Sequence, residues 1–209
     1  YVVKVKVIKN GEVVEVDAAS DLERFRFSNF GKDEILECAI TPGMPSFIFT
    51  RPDLNEFMEK TIRWPGHWQG IQVLKECGLF DIQPLNINGL KIAPREFLVA
   101  VIEPKLRPRE GDTDVCVMWN TVVGTKDGCR TRLNYYLWDE ADTQNGISAM
   151  ARVTGFSAAI GALFLGRGAI THKGIVPPED SIKGELYEAF MDELKKRGIK
   201  VVDVPEIID

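Results

Sequence analysis

Apolar and polar positions alternate over the first third of the chain. Val2 to Val7 and Val13 to Val16 each place apolar residues at every second position, the period of a strand with one wet face. Between them Lys9-Asn10-Gly11-Glu12 carries an Asn-Gly pair, the turn chemistry of a two-residue hairpin needing positive φ. Leu22 to Phe30 alternates again, and Phe57 to Trp64 reads as a further strand. Cys38 to Phe49 is apolar but cut by Pro42, Gly43 and Pro45, which predicts a strand running into a loop.

The period then changes. Pro65 suits a first helical position, Ile71, Leu74 and Cys77 recur at helical spacing, and Gly78 follows as a stop. A second helix is expected from Pro94, ending at Pro104. Asp114 to Gly124 and Arg130 to Trp138 read as long strands joined by Thr125-Lys126-Asp127-Gly128-Cys129. From Ser148 to Gly166 larger apolar groups line one side of a helix. Ala151, Gly155, Ala158, Ala162 and Gly166 line another. Gly within a helix costs about 1 kcal/mol against Ala, so a neighbour is expected close to this backbone, either the chain's own sheet or a partner domain. A last helix is expected over 181–197, with Glu179 and Asp180 at its start and Lys195, Lys196 and Arg197 at its end. Ile199 to Val204 is expected as a closing strand. The fold class is thus α+β, a mixed, largely antiparallel sheet with helices packed on it.

Composition narrows the class of partner. The 209 residues carry 26 Lys and Arg against 31 Asp and Glu, a formal net charge of −5, with no basic run to track a phosphate backbone. Nucleic acid is not an expected partner. Cys38, Cys77, Cys116 and Cys129 are widely spaced, with only His67 and His172 to assist metal binding. They are expected as buried thiols of a cytoplasmic protein rather than as zinc ligands or a disulfide framework. The apolar stretch Ile160 to Leu165 is interrupted by Gly161 and far too short to span a bilayer, so no membrane is expected. No G-x-G-x-x-G, phosphate-binding loop, G-x-S-x-G or H-E-x-x-H occurs.

Two segments could carry chemistry. In Thr61-Ile62-Arg63-Trp64-Pro65-Gly66-His67-Trp68 an Arg at a strand end meets a helix start, where a guanidinium beside unpaired N–H groups favours a carboxylate or phosphate. His67, flanked by Trp64 and Trp68, is a candidate proton donor or acceptor. Arg63 could instead pair with a structural Asp or Glu, and His67 could be a satisfied half-buried histidine. In Ala149-Met150-Ala151-Arg152-Val153-Thr154-Gly155, Arg152 and Thr154 lie near a helix start, where they could meet a ligand; Arg152 could equally be a solvated charge. Arg130 and Arg132 read as a wet sheet face.

Five short motifs stand in one order: Thr-Ile-Arg-Trp-Pro-Gly-His (61–67), Leu-Lys-Glu-Cys-Gly-Leu-Phe-Asp (74–81), Ala-Met-Ala-Arg-Val-Thr-Gly (149–155), Gly-Ile-Val-Pro-Pro-Glu (174–179) and Leu-Lys-Lys-Arg-Gly-Ile (194–199). With these the chain resembles the C-terminal, substrate-side domain of the saccharopine dehydrogenase family, in the branch that includes saccharopine reductase, lysine 6-dehydrogenase and carboxynorspermidine dehydrogenase. The resemblance implies a fold similar to the C-terminal domain of glyceraldehyde-3-phosphate dehydrogenase. It also implies an NAD- or NADP-dependent oxidation at the C–N bond of an amino acid or carboxylated polyamine, the dinucleotide being bound mainly by an N-terminal Rossmann domain. Residues 1–209 are then expected to form a single substrate-binding and dimerisation domain, with 148–209 packing toward that Rossmann domain and the isolated chain inactive. Arg63, Thr61, Trp64, His67, Arg152 and Thr154 are the expected substrate-binding residues. A start inside an alternating strand, without Met or the family's Gly-Gly-Leu-Pro segment, suggests a piece of a longer chain. The alternative is a non-catalytic domain for oligomerisation or ligand sensing.

Overall fold

The computed structural model describes residues 3–43 and 46–208. The chain forms two compact units, Tyr1–Glu110 and Gly111–Asp209. Every strand pairing among the described residues is antiparallel. The expected α+β class is present, built on four small sheets.

In the first unit, β1 (Lys4–Lys9) and β2 (Glu12–Asp17) form the hairpin read from the alternation. Asn10 and Gly11 take φ of 52° and 78°, both left-handed, as a type I′ turn requires. The Val2 end of that run and Pro45 lie outside the described residues. A second sheet orders β3 (Glu23–Phe27), β4 (Glu34–Ile40) and β5 (Lys60–Arg63) with β4 in the middle. Val5, Val7, Ala18 and Ile40 form one buried cluster. Ala19, Ala39 and Trp68 form another, with Leu22 and Ile71 against it.

Several boundaries differ from the expectation, each for a local reason. Strand β4 begins four residues before Cys38 because its centre is buried on both faces, so its pattern does not alternate. A short helix α1 (Phe47–Thr50) replaces the expected end of that loop. Helix α2 (His67–Glu76) starts two residues after Pro65, at a Gly66 with φ 95° that turns the chain out of β5. The hairpin of β6 (Leu85–Ile87) and β7 (Leu90–Ile92) is additional, its Asn88-Gly89 turn repeating the signal of Asn10-Gly11. Helix α3 (Pro94–Leu106) continues two residues past Pro104. The proline sits in the last turn, where the carbonyl it leaves without an intrahelical partner belongs to exposed Ala100.

In the second unit, β8 (Val115–Lys126) and β9 (Cys129–Glu140) are joined by the two residues Asp127 and Gly128, a tighter turn than expected. Strand β10 (Val201–Ile207) pairs with the other edge of β9. Helix α4 (Ala149–Gly166) and helix α6 (Glu185–Lys196) share a core of Leu137, Ile160, Phe164, Leu194 and Ile199. Glu179 and Asp180 belong to a separate turn of helix, α5 (Pro178–Ser181), opened by Pro177-Pro178, and Glu185 and Glu188 occupy the first turn of α6 instead.

One reading of α4 and one of the cysteines are corrected. A Cβ built at Gly155, Gly161 or Gly166 meets nothing within 4 Å, and Ala151, Ala158 and Ala162 are exposed. The small-residue stripe is therefore not packed against the chain's own sheet. Among the described residues α4 is also long and apolar enough to cross a membrane by length and composition, 18 residues at mean hydropathy 1.4. Counting only unbroken apolar runs misses this, because small residues keep the average high. All four cysteines are free thiols, but Cys77 and Cys129 are exposed, Cys77 at the end of α2 and Cys129 at the tip of the β8–β9 hairpin.

Candidate functional site

The β4–β5 register sets Glu37 opposite Arg63 and Ala39 opposite Thr61. Residues opposite each other share a face, and α2 lies on this one, with Trp68 fully buried against Ala39. Thr61 hydrogen-bonds Thr41 across the strands. Trp64 is half exposed at the end of β5. The 61–68 segment thus brings Thr61, Arg63, Trp64 and His67 together in the first unit.

The helix N-terminus in this segment is already occupied. Glu37, 2% exposed, accepts a hydrogen bond from the Trp68 N–H at 2.7 Å. The carboxylate expected at this helix start is the protein's own, supplied by the central strand and favoured there by the helix dipole. Arg63 is exposed and its guanidinium Nη1 donates only to the Ile62 carbonyl, at 2.8 Å. Among the described residues it forms no ion pair, so the structural pairing that the sequence left open does not occur. His67 is half-buried and meets Trp68 edge to face, ring centres 4.9 Å apart. Burial, assisted by the Arg63 cation and opposed by Glu37, holds its imidazole below the usual histidine range. His67 is therefore neutral at neutral pH, beside a cation that is open to solvent.

Arg152 and Thr154 lie in the second unit and have different surroundings. Arg152 Nε donates to Asp139 at 2.9 Å, and Nη2 donates to the Arg197 carbonyl at 3.1 Å. Its side chain is 14% exposed, and Asp142 adds a longer contact of 3.9 Å. Arg152 is thus neither a solvated charge nor an open ligand group. Thr154 is exposed and donates to Met150 Sδ at 3.3 Å. The α4 N-terminus is likewise filled, Asp114 accepting the N–H groups of Ala149 and Met150 at 2.6 and 3.0 Å and Ser148 that of Ala151.

Glu37 and Glu59 are the acids around this segment that the sequence pattern does not single out. Glu37 is a lone acid within the run Ile35 to Ile40, a position where a carboxylate needs a built partner. Glu59 shares the i, i+2, i+4 spacing of Thr61 and Arg63. No three His, Cys, Asp or Glu side chains come together as a metal ligand set among the described residues.

The class these observations define is an α+β domain of antiparallel sheets that presents an exposed arginine next to a half-buried histidine. The chain belongs to the saccharopine dehydrogenase C-terminal domain family, whose model matches residues 1–199. It is 29% identical over 127 residues to the saccharopine dehydrogenase (NADP(+), L-glutamate-forming) of Pyricularia oryzae, covering 59% of this chain and 27% of that protein. It is 27% identical over 176 residues to the carboxyaminopropylagmatine dehydrogenase of Synechocystis, covering 77% of this chain and 44% of that protein. Its fold is similar to that of apo saccharopine dehydrogenase (L-Glu forming) from Saccharomyces cerevisiae, with TM-score 0.70 and 18% identity over 97% of this chain and 59% of that one. The chain therefore spans about a quarter to a little over half of these relatives. Both curated relatives are dehydrogenases by name.

Proposed function

We propose that this chain is the substrate-side domain of an NAD(P)-dependent oxidoreductase acting on the C–N bond of an amino acid or carboxylated amine. The observation that carries the reading is Arg63, an exposed guanidinium that pairs with no carboxylate among the described residues, next to a His67 whose imidazole is held below the usual histidine range. A guanidinium fork of this kind takes a carboxylate in two parallel hydrogen bonds. Arg63 then holds the substrate carboxylate, Thr61 and Trp64 border it, and the neutral imidazole of His67 can take up a proton there. Arg152 keeps unit 2 together through Asp139 and is not assigned to the substrate.

The sequence contains no glycine-rich dinucleotide loop. We assign NAD or NADP to an N-terminal Rossmann domain of the same polypeptide, and the uncovered small-residue stripe of α4 supports packing of 148–209 toward it. A homodimer in the cytoplasm completes the reading. The test is NAD(P)H formation by the full-length protein with lysine, saccharopine and carboxylated polyamines. Amine-dependent reduction of the dinucleotide supports the assignment, and absence of turnover with every such amine contradicts it.

A further inference from the structure

The β6–β7 hairpin has one apolar and one polar face. Its register sets Leu85 opposite Ile92, Ile87 opposite Leu90 and Asn86 opposite Lys91, and opposite residues share a face. Leu85, Ile87, Leu90 and Ile92 therefore stand together, with Asn86 and Lys91 behind them. The apolar face lines a cleft of about 510 Å³, bounded elsewhere by Cys77 and Leu79 after α2, by Ile82 and by Phe97 of α3. None of the described residues fills it. Every residue from 81 to 90 is exposed, and Leu90 and Phe97 are 65% and 57% exposed. A hairpin with strands this short is marginal in water unless something covers its apolar face.

Size and charge indicate the kind of cover. The apolar surface continues beyond the cleft to Leu90 and, one turn along α3 from Phe97, to Val101. Ile82, Leu85, Ile87, Leu90, Phe97 and Val101 together expose on the order of 600 Å². That is at the upper end for one patch on a monomer and close to the roughly 800 Å² that each partner brings to a stable protein interface. A small molecule held within the cleft leaves Leu90 and Val101 bare. The rim carries both signs of charge. The Arg95 N–H donates to the Asp81 carbonyl at 3.1 Å, and Asp81, Arg95 and Glu96 are exposed and form no ion pair among the described residues. A rim of both signs complements a copy of itself, which a rim of one sign does not.

We propose that this surface is the contact between two copies of the chain, the hairpin of each copy seated in the cleft of the other. The proposal rests on the homodimer given under Proposed function and names its interface. A two-fold axis makes the contact reciprocal. The two apolar hairpin faces pack about 10 Å apart, each serving as a wall of its own cleft and as the occupant of the partner's. Leu90 and Phe97 are the central anchors, and Asp81, Arg95 and Glu96 form the polar rim around them. Cys77 is a free thiol that lines the cleft, so a seated partner hairpin covers it.

The test uses the full-length protein, with sedimentation equilibrium for the dimer dissociation constant and mass spectrometry for the alkylation rate of Cys77 by iodoacetamide. Leu90→Asp and Phe97→Asp place a charge in the contact and leave Arg63 and His67 in place. Each should raise the dissociation constant by about tenfold or more and make Cys77 react several-fold faster than in the wild-type dimer at equal concentration. Leu90→Ala, which adds no charge and keeps the fold, should shift both readouts in the same direction by a smaller factor. An unchanged dissociation constant in all three variants would overturn the proposal and leave the homodimer to another surface. A Cys77 that reacts at one rate in wild type and variants would overturn it as well. A wild-type protein that sediments as a monomer would overturn the interface and the homodimer together, without touching the carboxylate reading of Arg63.

Discussion

Arg63 and Arg152 look alike in the sequence. Each lies within a few residues of a helix start and close to a threonine, and each is a candidate for a ligand carboxylate. The structure separates them by what stands opposite. Arg152 meets Asp139, which β9 brings up 13 residues earlier in the chain, and its Nη2 also donates to the Arg197 carbonyl, 45 residues later. Arg63 stands opposite Glu37, but that carboxylate is turned to the Trp68 N–H. A charge becomes structural or available according to whether the carboxylate that faces it already has a partner. Local sequence does not contain that information.

The comparison breaks first at Arg152. Removing it leaves Asp139 buried and unpaired, so Arg152→Ala should destabilise the second unit by about 3 kcal/mol or more, lowering the melting temperature by roughly 6–12 °C. A melt within about 2 °C of wild type would mean that the pair is no more structural than Arg63. Next in size is Glu37. Glu37→Ala deprives α2 of its N-terminal acceptor and should cost about 2 kcal/mol. Glu37→Gln retains an oxygen for the Trp68 N–H and should cost less than half of that. Equal losses from both substitutions would show that charge rather than capping is what matters there.

The smallest expected effect concerns His67. Removing the Arg63 cation should raise the His67 pKa toward the ordinary histidine value, measured by NMR titration of Arg63→Ala. The sign follows from the lowered value in the folded state. The neutral form is favoured by folding, so this contribution to stability is present above the unfolded pKa and is lost as pH falls through the folded one. A His67 titration unchanged in the variant would show that the two side chains do not share a field.

Much of the architecture could be read from pattern alone. The hairpin at Asn10-Gly11, the long β8–β9 pair and helix α4 announce themselves by period and turn chemistry. The β6–β7 hairpin carries the same Asn-Gly signal, but its strands, Leu85-Asn86-Ile87 and Leu90-Lys91-Ile92, are only three residues long, too short for their alternation to stand out as a period. Strand β4 hid its first half because a buried centre has no period. At the candidate site the cluster of Thr61, Arg63, Trp64 and His67 was legible, since neighbours in sequence stay neighbours at a strand-to-helix turn. Glu37 and Glu59 were not, since their place depends on register across strands some 20 to 30 residues apart. The stripe from Ala151 to Gly166 was recognised, but its covering was not. Small residues announce a close approach without naming the surface that approaches.

The central claim is the proposal that Arg63, which forms no ion pair among the described residues, binds a substrate carboxylate. Its most direct test is the KM of Arg63→Ala in the full-length protein for a carboxylated amine, with the melting temperature recorded beside it. The account predicts a rise of about tenfold or more with stability within about 0.5 kcal/mol of wild type. An unchanged KM, or a rise matched by a melting loss like that of Arg152→Ala, would contradict it.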